Sequence, residues 1–236
     1  MLPNNYLALL VTFLVAIAWL RLNDFAAHRG WISSYLSRKI IHVGTGPIFV
    51  LCWLLFQNTP SAPYLAAIVP GAITLQFILV GLGIIKDESA VQAMSRTGDR
   101  REILKGPLYY GIVFIVITIL YWLNTPVGIV ALMIMCGGDG IADVVGRRYG
   151  RIKLPWNKKK SWAGSLGVFL GGWLLSAFIL SIFIVAGVFN PPLISNFLGL
   201  SLVALACTII ESLPFEDIDN ITVPLIALII GPLLFH

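Results

Sequence analysis

The chain has 236 residues, of which 58% are hydrophobic and only 11% are charged, and its mean hydropathy is +0.90. These values exclude an ordinary soluble globular protein. The net charge of +5 at pH 7 comes from cations in short loops without a soluble domain. That placement argues against nucleic acid as a partner and favours lipid headgroups or a small polyanion.

Eight apolar stretches follow one another along the chain, and most approach the roughly 20 residues that a helix needs to cross a bilayer. Long unbroken apolar runs favour helices over the alternating strands of a barrel. The sequence therefore predicts an all-α, polytopic bundle of about eight transmembrane helices in a single domain, residues 1–236. The stretches are 2–20, 40–56, 64–85, 108–123, 127–136, 166–188, 193–210 and 221–235.

The placement of charge predicts the topology. The loops 21–39, 86–107 and 147–165 hold all 16 Lys and Arg residues, as four, five and seven. By the positive-inside rule these loops are cytoplasmic and both termini lie on the opposite side. The acidic residues follow the same side, which the rule does not require, so we expect this face to be the working face. We expect a bacterial inner membrane or a thylakoid-type membrane, and a homo-oligomer is compatible with the sequence.

Two basic groups in the first half of the chain are candidate phosphate ligands. Arg38, Lys39 and His42 open the second span, and their spacing places His42 on the same helical side as both cations. Lys105 precedes a Gly-Pro pair at the start of the fourth span. The alternatives are a structural histidine and simple anchoring of the cations to lipid headgroups.

The fifth span carries two carboxylates. Its apolar part, 127–136, has ten residues, or about 15 Å of helix, so the helix must continue through Asp139 and Asp143 to about Arg147 in order to cross. Residues four apart share a helix face, so both carboxylates should point into one cleft. A carboxylate at this depth costs about 2.5–3.5 kcal/mol on insertion scales and should face protein, water or a cation. We expect a Mg²⁺ site there; the alternative is pairing with Arg147 or with a neighbouring helix.

The loop that follows is strongly basic, with seven cations from Arg147 to Lys160. Mg²⁺ takes one or two carboxylates plus substrate phosphates and needs no full protein cage. The sequence therefore predicts that this loop binds the phosphates of a polyanion beside the metal ion.

A second acidic group follows the seventh span in the segment ESLPFEDIDN. Pro214 is expected to end the helix and expose the turn. Glu211 directly follows an apolar run and is the stronger functional candidate. A solvated loop is the alternative for Glu216 and Asp217, and an N-cap role competes for Asp219.

Four blocks lie in order between about Arg38 and Pro224: RKIIHVGTG, LKGPLYYG, GDGIADVVGRRYGRIKLPWNKKKSWAGS and ESLPFEDIDNITVPL. Together they resemble the polyprenol kinase family, which includes dolichol kinases and phytol kinases. The segments KSWAGS and ESLP are most similar to the phytol kinase branch. More distant members and phosphatidate cytidylyltransferases tend to have Glu where this chain has Ala163, which argues against a cytidylyltransferase. No Walker A pattern is present, so an ordinary ATP kinase is unsupported.

The resemblance implies phosphoryl transfer from CTP or UTP to the terminal hydroxyl of an isoprenoid alcohol in the bilayer, with phytol favoured. Mg²⁺ is the implied cofactor, with Asp139 and Asp143 as its ligands. The catalytic carboxylates are expected among Asp139, Asp143, Glu211 and Asp219, and which of them accepts the hydroxyl proton stays open. The residues assigned to the nucleotide and its phosphates are Arg38, Lys39, His42, Lys105, Arg147, Lys153, Lys159, Lys160 and Ser161.

Two other functions stay open from the sequence. A CTP-dependent phosphatidate cytidylyltransferase also uses CTP and Mg²⁺, but it releases pyrophosphate, whereas the kinase releases CDP or UDP. An ion-coupled transporter would use its intramembrane acids to carry protons or ions. It predicts a polar pathway to the uncharged face, yet the polar residues stop on one side.

Overall fold

The computed structural model describes residues 1–95, 97–189, 194–215 and 218–235. In these ranges the chain forms nine α-helices and two short 3₁₀ turns, at Trp53–Leu55 and Arg100–Leu104. The α-helices are α1 Asn5–His28, α2 Ser34–Cys52, α3 Ala62–Leu82, α4 Glu88–Met94, α5 Gly106–Leu120, α6 Val127–Tyr149, α7 Trp162–Val185, α8 Ile194–Ser212 and α9 Asp219–Leu234.

The predicted all-α membrane class is confirmed. Six helices, counted among the described residues, are long and apolar enough to cross a membrane. They comprise α1, α2, α3, α6, α7 and the segment Arg100–Leu120, which contains α5. The apolar parts of α8 and α9 are shorter, at 10–17 residues, so a total of eight spans stays a prediction.

The chain divides into two compact units, Met1–Leu120 and Tyr121–His236. In the first unit, aromatic rings join α2 to α5. The His42 ring lies 4.8 Å from that of Tyr110, whose hydroxyl donates a 2.9 Å hydrogen bond to the His42 carbonyl. Phe114, one turn after Tyr110, contacts Phe49 at 5.8 Å between ring centroids. His42 is therefore packed against α5. That the whole chain is one domain stays a prediction.

In the second unit, α6 is the central helix. Every residue from Val127 to Gly138 is buried, because α6 packs against α7 and α9 and also contacts α8. A helix that is apolar on all sides is stable only where protein or lipid surrounds it. The protein itself encloses the first half of α6, so the position of its acidic second half is set by three neighbouring helices.

Small residues bring α6 and α7 into backbone contact. A Cβ placed on Gly171 of α7 would lie 2.5 Å from the carbonyl oxygen of Gly137 on α6. Near the charged end, a Cβ on Gly167 would lie 3.0 Å from the Cα of Ala142. Close approach through small residues is the usual means by which apolar helices associate without a hydrophobic driving force between them.

We predict that Gly171→Ala destabilises the protein by about 1–3 kcal/mol, because the added methyl group overlaps backbone that cannot move aside. Gly71→Ala in α3 is the matched control, since a Cβ there meets nothing within 4 Å. It should be neutral or stabilising by up to about 1 kcal/mol, because alanine restricts the unfolded chain. Thermal unfolding of the detergent-solubilised variants measures both, and equal effects would contradict the close contact.

Candidate active site

The helix α6 extends through both predicted carboxylates. It runs from Val127 to Tyr149, which confirms the expectation that the short apolar stretch continues past Asp139 and Asp143. Both aspartates are partly buried and stand one turn apart on the same helix. The two carboxylates therefore lie between the buried first half of α6 and its basic last turn.

The carboxylate of Asp143 is bound by Arg147. The Arg147 Nε atom lies 2.9 Å from Asp143 Oδ1, one turn further along α6. The Arg147 side chain is 64% exposed, and exposed pairs at this spacing contribute only about 0.3–0.5 kcal/mol. Pairing with Arg147 is the alternative to a Mg²⁺ site that the sequence leaves open for Asp143. An ion pair of this strength is weak enough for another cation to replace Arg147. The metal-binding role of Asp143 stays a prediction.

Residues 150–161, here called the α6–α7 hairpin, turn back on themselves between the two helices. The Leu154 N–H donates to the Lys160 carbonyl at 3.1 Å, and the Trp162 N–H donates to the Ile152 carbonyl at 3.1 Å. The turn closes where the Lys160 N–H donates to the Asn157 carbonyl. These bonds place Leu154 and Asn157 in buried positions and leave Lys153, Lys158 and Lys159 exposed.

Ser161 ends the hairpin and begins α7. Its Oγ accepts a hydrogen bond from the Gly164 N–H at 3.1 Å, an N-cap that satisfies one of the free donors of the first helical turn. Ser161 is buried, with 4% of its surface exposed. Its predicted hydrogen bond to a phosphate stays a prediction, since this structure shows the hydroxyl as a cap.

The hairpin is attached to the carboxyl end of α8. The Asn157 Nδ2 group donates to the backbone carbonyls of Ser212 and Leu213, each at 3.2 Å. The Trp156 indole N–H donates to the Ser212 hydroxyl at 3.2 Å. As the sequence predicts, α8 ends at Ser212, shortly before Pro214.

Lys160 lies between two carboxylates. Its Nζ atom is 2.8 Å from Glu211 Oε1 and 3.1 Å from Asp219 Oδ2, and it also donates to the Glu211 backbone carbonyl. The Glu211 side chain is only 13% exposed. Asp219 is the first residue of α9. The N-cap position is taken by the preceding residue, Ile218, which makes no side-chain capping bond. The carboxylate of Asp219 therefore serves the ion pair with Lys160 and not a helix cap.

Asp139 belongs to the same neighbourhood. Burial has the largest effect on the Glu211 carboxylate and disfavours its charged form, the Lys160 ammonium favours the charged form, and the negative charges of Asp219 and Asp139 disfavour it further. We call Asp139, Lys160, Glu211 and Asp219 the acidic cluster. The cluster brings the carboxylates of Glu211 and Asp219 together on the Lys160 ammonium, with the charge of Asp139 close enough to act on Glu211.

The other predicted site residues lie in several places. In the second unit, Lys153 and Lys159 are exposed on the hairpin. In the first unit, the Arg38 Nη1 group donates to the Ser95 carbonyl at 3.2 Å, and Lys39 is half-buried on α2. Lys105 is exposed and follows the Arg100–Leu104 turn. Their roles in binding a nucleotide stay predictions. Glu216 and Asp217 lie outside the described residues.

Reasoning from the sequence missed Asn157. The segment LPWNKKK carries the Pro-x-Asn pattern of a turn, and that signal alone was available. The partners of Asn157 are two carbonyls more than fifty residues away, and no local pattern encodes them.

The chain is similar along most of its length to plant proteins. It is 45% identical over 222 residues to a probable chloroplastic phytol kinase of Triticum aestivum, covering 93% of this chain and 74% of that protein. It is 41% identical over 229 residues to a chloroplastic farnesol kinase of Arabidopsis thaliana, covering 95% and 74%. A probable chloroplastic phytol kinase 2 of Oryza sativa is 41% identical over 227 residues, covering 95% and 74%.

The chain therefore belongs to the polyprenol kinase family, in the group that includes the phytol and farnesol kinases. No protein-family model matches it, and no solved structure does so.

We predict that Lys160→Met lowers the free energy of unfolding by about 1–3 kcal/mol, because it leaves the largely buried Glu211 and the partly buried Asp219 without their shared cation. Arg147→Gln removes the more exposed ion pair and should cost less than about 0.5 kcal/mol. Denaturation of the two purified variants compares them directly. A larger loss in Arg147→Gln would show that the ion pair of α6, and not the acidic cluster, holds this end of the unit together.

Proposed function

We propose that this protein phosphorylates the terminal hydroxyl of an isoprenoid alcohol dissolved in the bilayer, with phytol and farnesol as the first candidates. The observation that carries the proposal is the 37–45% identity, over more than nine-tenths of this chain, to proteins named as phytol and farnesol kinases. The apolar helices support it as well, because both the alcohol and its monophosphate can then stay in lipid.

The proposed donor is CTP or UTP, as the resemblance of the sequence blocks implies. The alcohol oxygen forms a bond to the γ-phosphorus while the bond from that phosphorus to the β-bridging oxygen breaks. CDP or UDP leaves, and the hydroxyl proton passes to a carboxylate. Catalysis of such a transfer consists mainly of positioning and of neutralising charge. The acidic cluster offers Glu211 and Asp219 as acceptors for the proton.

Lys160 is the proposed link between the carboxylates and the phosphates. An ammonium group has three N–H donors, and in this structure they face Glu211 Oε1, the Glu211 carbonyl and Asp219 Oδ2. A phosphate oxygen must therefore replace one of these acceptors if Lys160 is to bind the nucleotide. Such an exchange would separate a carboxylate from the Lys160 ammonium, and that carboxylate could then accept the hydroxyl proton when the nucleotide is bound. Arg147, Lys153 and Lys159 are the further proposed phosphate ligands.

Mg²⁺ is the proposed cofactor, and the donor chemistry of the site fits it. The oxygen ligands that Mg²⁺ prefers are present as the carboxylates of Asp139 and Asp143, which lie one turn apart on α6. Across the described ranges, no three His, Cys, Asp or Glu side chains form a ready metal cage. Asp139 and Asp143 would thus supply one or two ligands, with the remainder from phosphate and water. When bound, the ion would neutralise the charge on the phosphates.

We propose the location of the protein from the same comparisons. The matched relatives quoted above carry chloroplastic names, which supports a chloroplast membrane over a bacterial one; that this membrane is of the thylakoid type stays a prediction. The assignment of the charged loops to a cytoplasmic or equivalent face stays a prediction.

The reaction can be tested with purified protein in nanodiscs, Mg²⁺, and CTP, UTP or ATP labelled at the α- or γ-phosphate, with phytol, farnesol or phosphatidate as acceptor. We predict that label reaches phytol or farnesol only from the γ-position of CTP or UTP. Transfer of α-label to phosphatidate would instead establish a cytidylyltransferase, and transfer from ATP alone would refute the proposed donor.

We predict that Asp139→Asn lowers kcat by at least about 100-fold, since loss of a metal ligand should exceed the 10–100-fold effects of groups that only support such ligands. Glu88→Gln is the control: Glu88 is an exposed carboxylate in the first turn of α4, and its neutralisation should leave kcat within about twofold. Full turnover by Asp139→Asn at limiting Mg²⁺ would remove the proposed metal role.

A further inference from the structure

The carboxyl end of α8 receives its hydrogen bonds from another part of the chain. The last carbonyls of any α-helix have no partner within the helix. Here the Glu211 carbonyl accepts from the Lys160 ammonium, and the carbonyls of Ser212 and Leu213 accept from the Asn157 amide. The negative end of the helix dipole favours the cation. The α6–α7 hairpin thus caps α8 with one amide and one ammonium.

Both ends of the Asn157 side chain are held, and this determines its orientation. Its Nδ2 group faces two carbonyls, which can only accept hydrogen bonds, while its Oδ1 accepts the backbone N–H of Lys159 at 3.1 Å. An amide turned by 180° would place acceptor against acceptor and donor against donor. Asn157 is also buried, with 7% of its surface exposed, so water does not compete strongly for these bonds.

We infer that Asn157 is a positioning residue that holds Lys160 between Glu211 and Asp219. The backbone of Lys160 bonds to the Asn157 carbonyl, and the Asn157 amide attaches this turn to the residues that follow Glu211. Removal of the amide takes away two of the hydrogen bonds that attach this turn to α8 and leaves the Trp156 bond to Ser212. The backbone from which the four-carbon side chain of Lys160 extends is then less firmly held. The consequence for catalysis rests on the proposed function; the consequence for the position of Lys160 does not.

The test is the reactivity of Lys160 towards limiting acetic anhydride, read by mass spectrometry as a ratio to Lys158. Lys158 is exposed in the same hairpin and reports the reagent concentration. In Asn157→Ala we expect the Lys160 to Lys158 ratio to rise about tenfold, as the loss of roughly two ordinary hydrogen bonds would allow. Asn157→Gln keeps the amide and should give an intermediate ratio, which also serves if the alanine variant does not fold.

Asn5 provides a matched control in the first unit. It is buried, its Nδ2 donates to the Gln57 carbonyl at 3.2 Å and to Thr59 Oγ1 at 2.8 Å, and its Oδ1 accepts the Gln57 N–H. Asn5→Ala should lower the melting temperature as Asn157→Ala does, yet leave the lysine ratio unchanged. An unchanged ratio in folded Asn157→Ala, or an equal rise in Asn5→Ala, would overturn the inference.

The second test of the inference measures kinase turnover. If Asn157 acts through Lys160, the double variant Asn157→Ala with Lys160→Met has the same kcat as Lys160→Met alone, whereas independent roles give multiplied losses. Multiplied losses would contradict positioning through Lys160. If the wild-type protein phosphorylates no isoprenoid alcohol while the acetylation ratio changes as expected, the proposed function fails and the placement of Lys160 by Asn157 stands.

Discussion

A single ammonium group between two carboxylates joins three separate parts of the second unit. Lys160 comes from the α6–α7 hairpin, Glu211 from the last turn of α8 and Asp219 from the first turn of α9. Charges so largely removed from water are stable only with partners, and loss of one partner strands the others. The ion pair therefore helps to hold the hairpin against the two helices, at the place where we propose that the phosphates bind.

The packing of α6 against α7 positions the ends of the two helices at this junction. The glycine contacts allow α6 and α7 to run almost in backbone contact, so a hairpin of a dozen residues suffices to connect their ends. The α6 helix also packs against α9 and contacts α8, and the charge of Asp139 acts on Glu211 in the last turn of α8. The close contact of small residues between α6 and α7 thus helps to place the acidic cluster beside the basic hairpin.

Local patterns in the sequence sufficed for part of this arrangement. The length of the apolar stretch before Asp139 predicts that α6 continues past it, and Pro214 predicts the end of α8. The partners of Lys160 could not be predicted, because ion pairs between residues more than fifty positions apart leave no local periodicity. The role of Asn157 could not be predicted for the same reason: the sequence indicates its turn, but it does not indicate the hydrogen bonds from Asn157 to α8. For Asp219, an N-cap and an ion pair give the same sequence pattern, and the ion pair prevails because Lys160 lies within reach.

We propose that the junction of the hairpin with α8 and α9 binds the nucleoside triphosphate. Backbone hydrogen exchange with and without saturating CTP and Mg²⁺ tests it most directly, because it reports the binding region without any assumption about the reaction. We predict slower exchange in residues 150–161 and in the last turn of α8. Unchanged exchange in both segments, in protein that demonstrably binds the nucleotide, would contradict it.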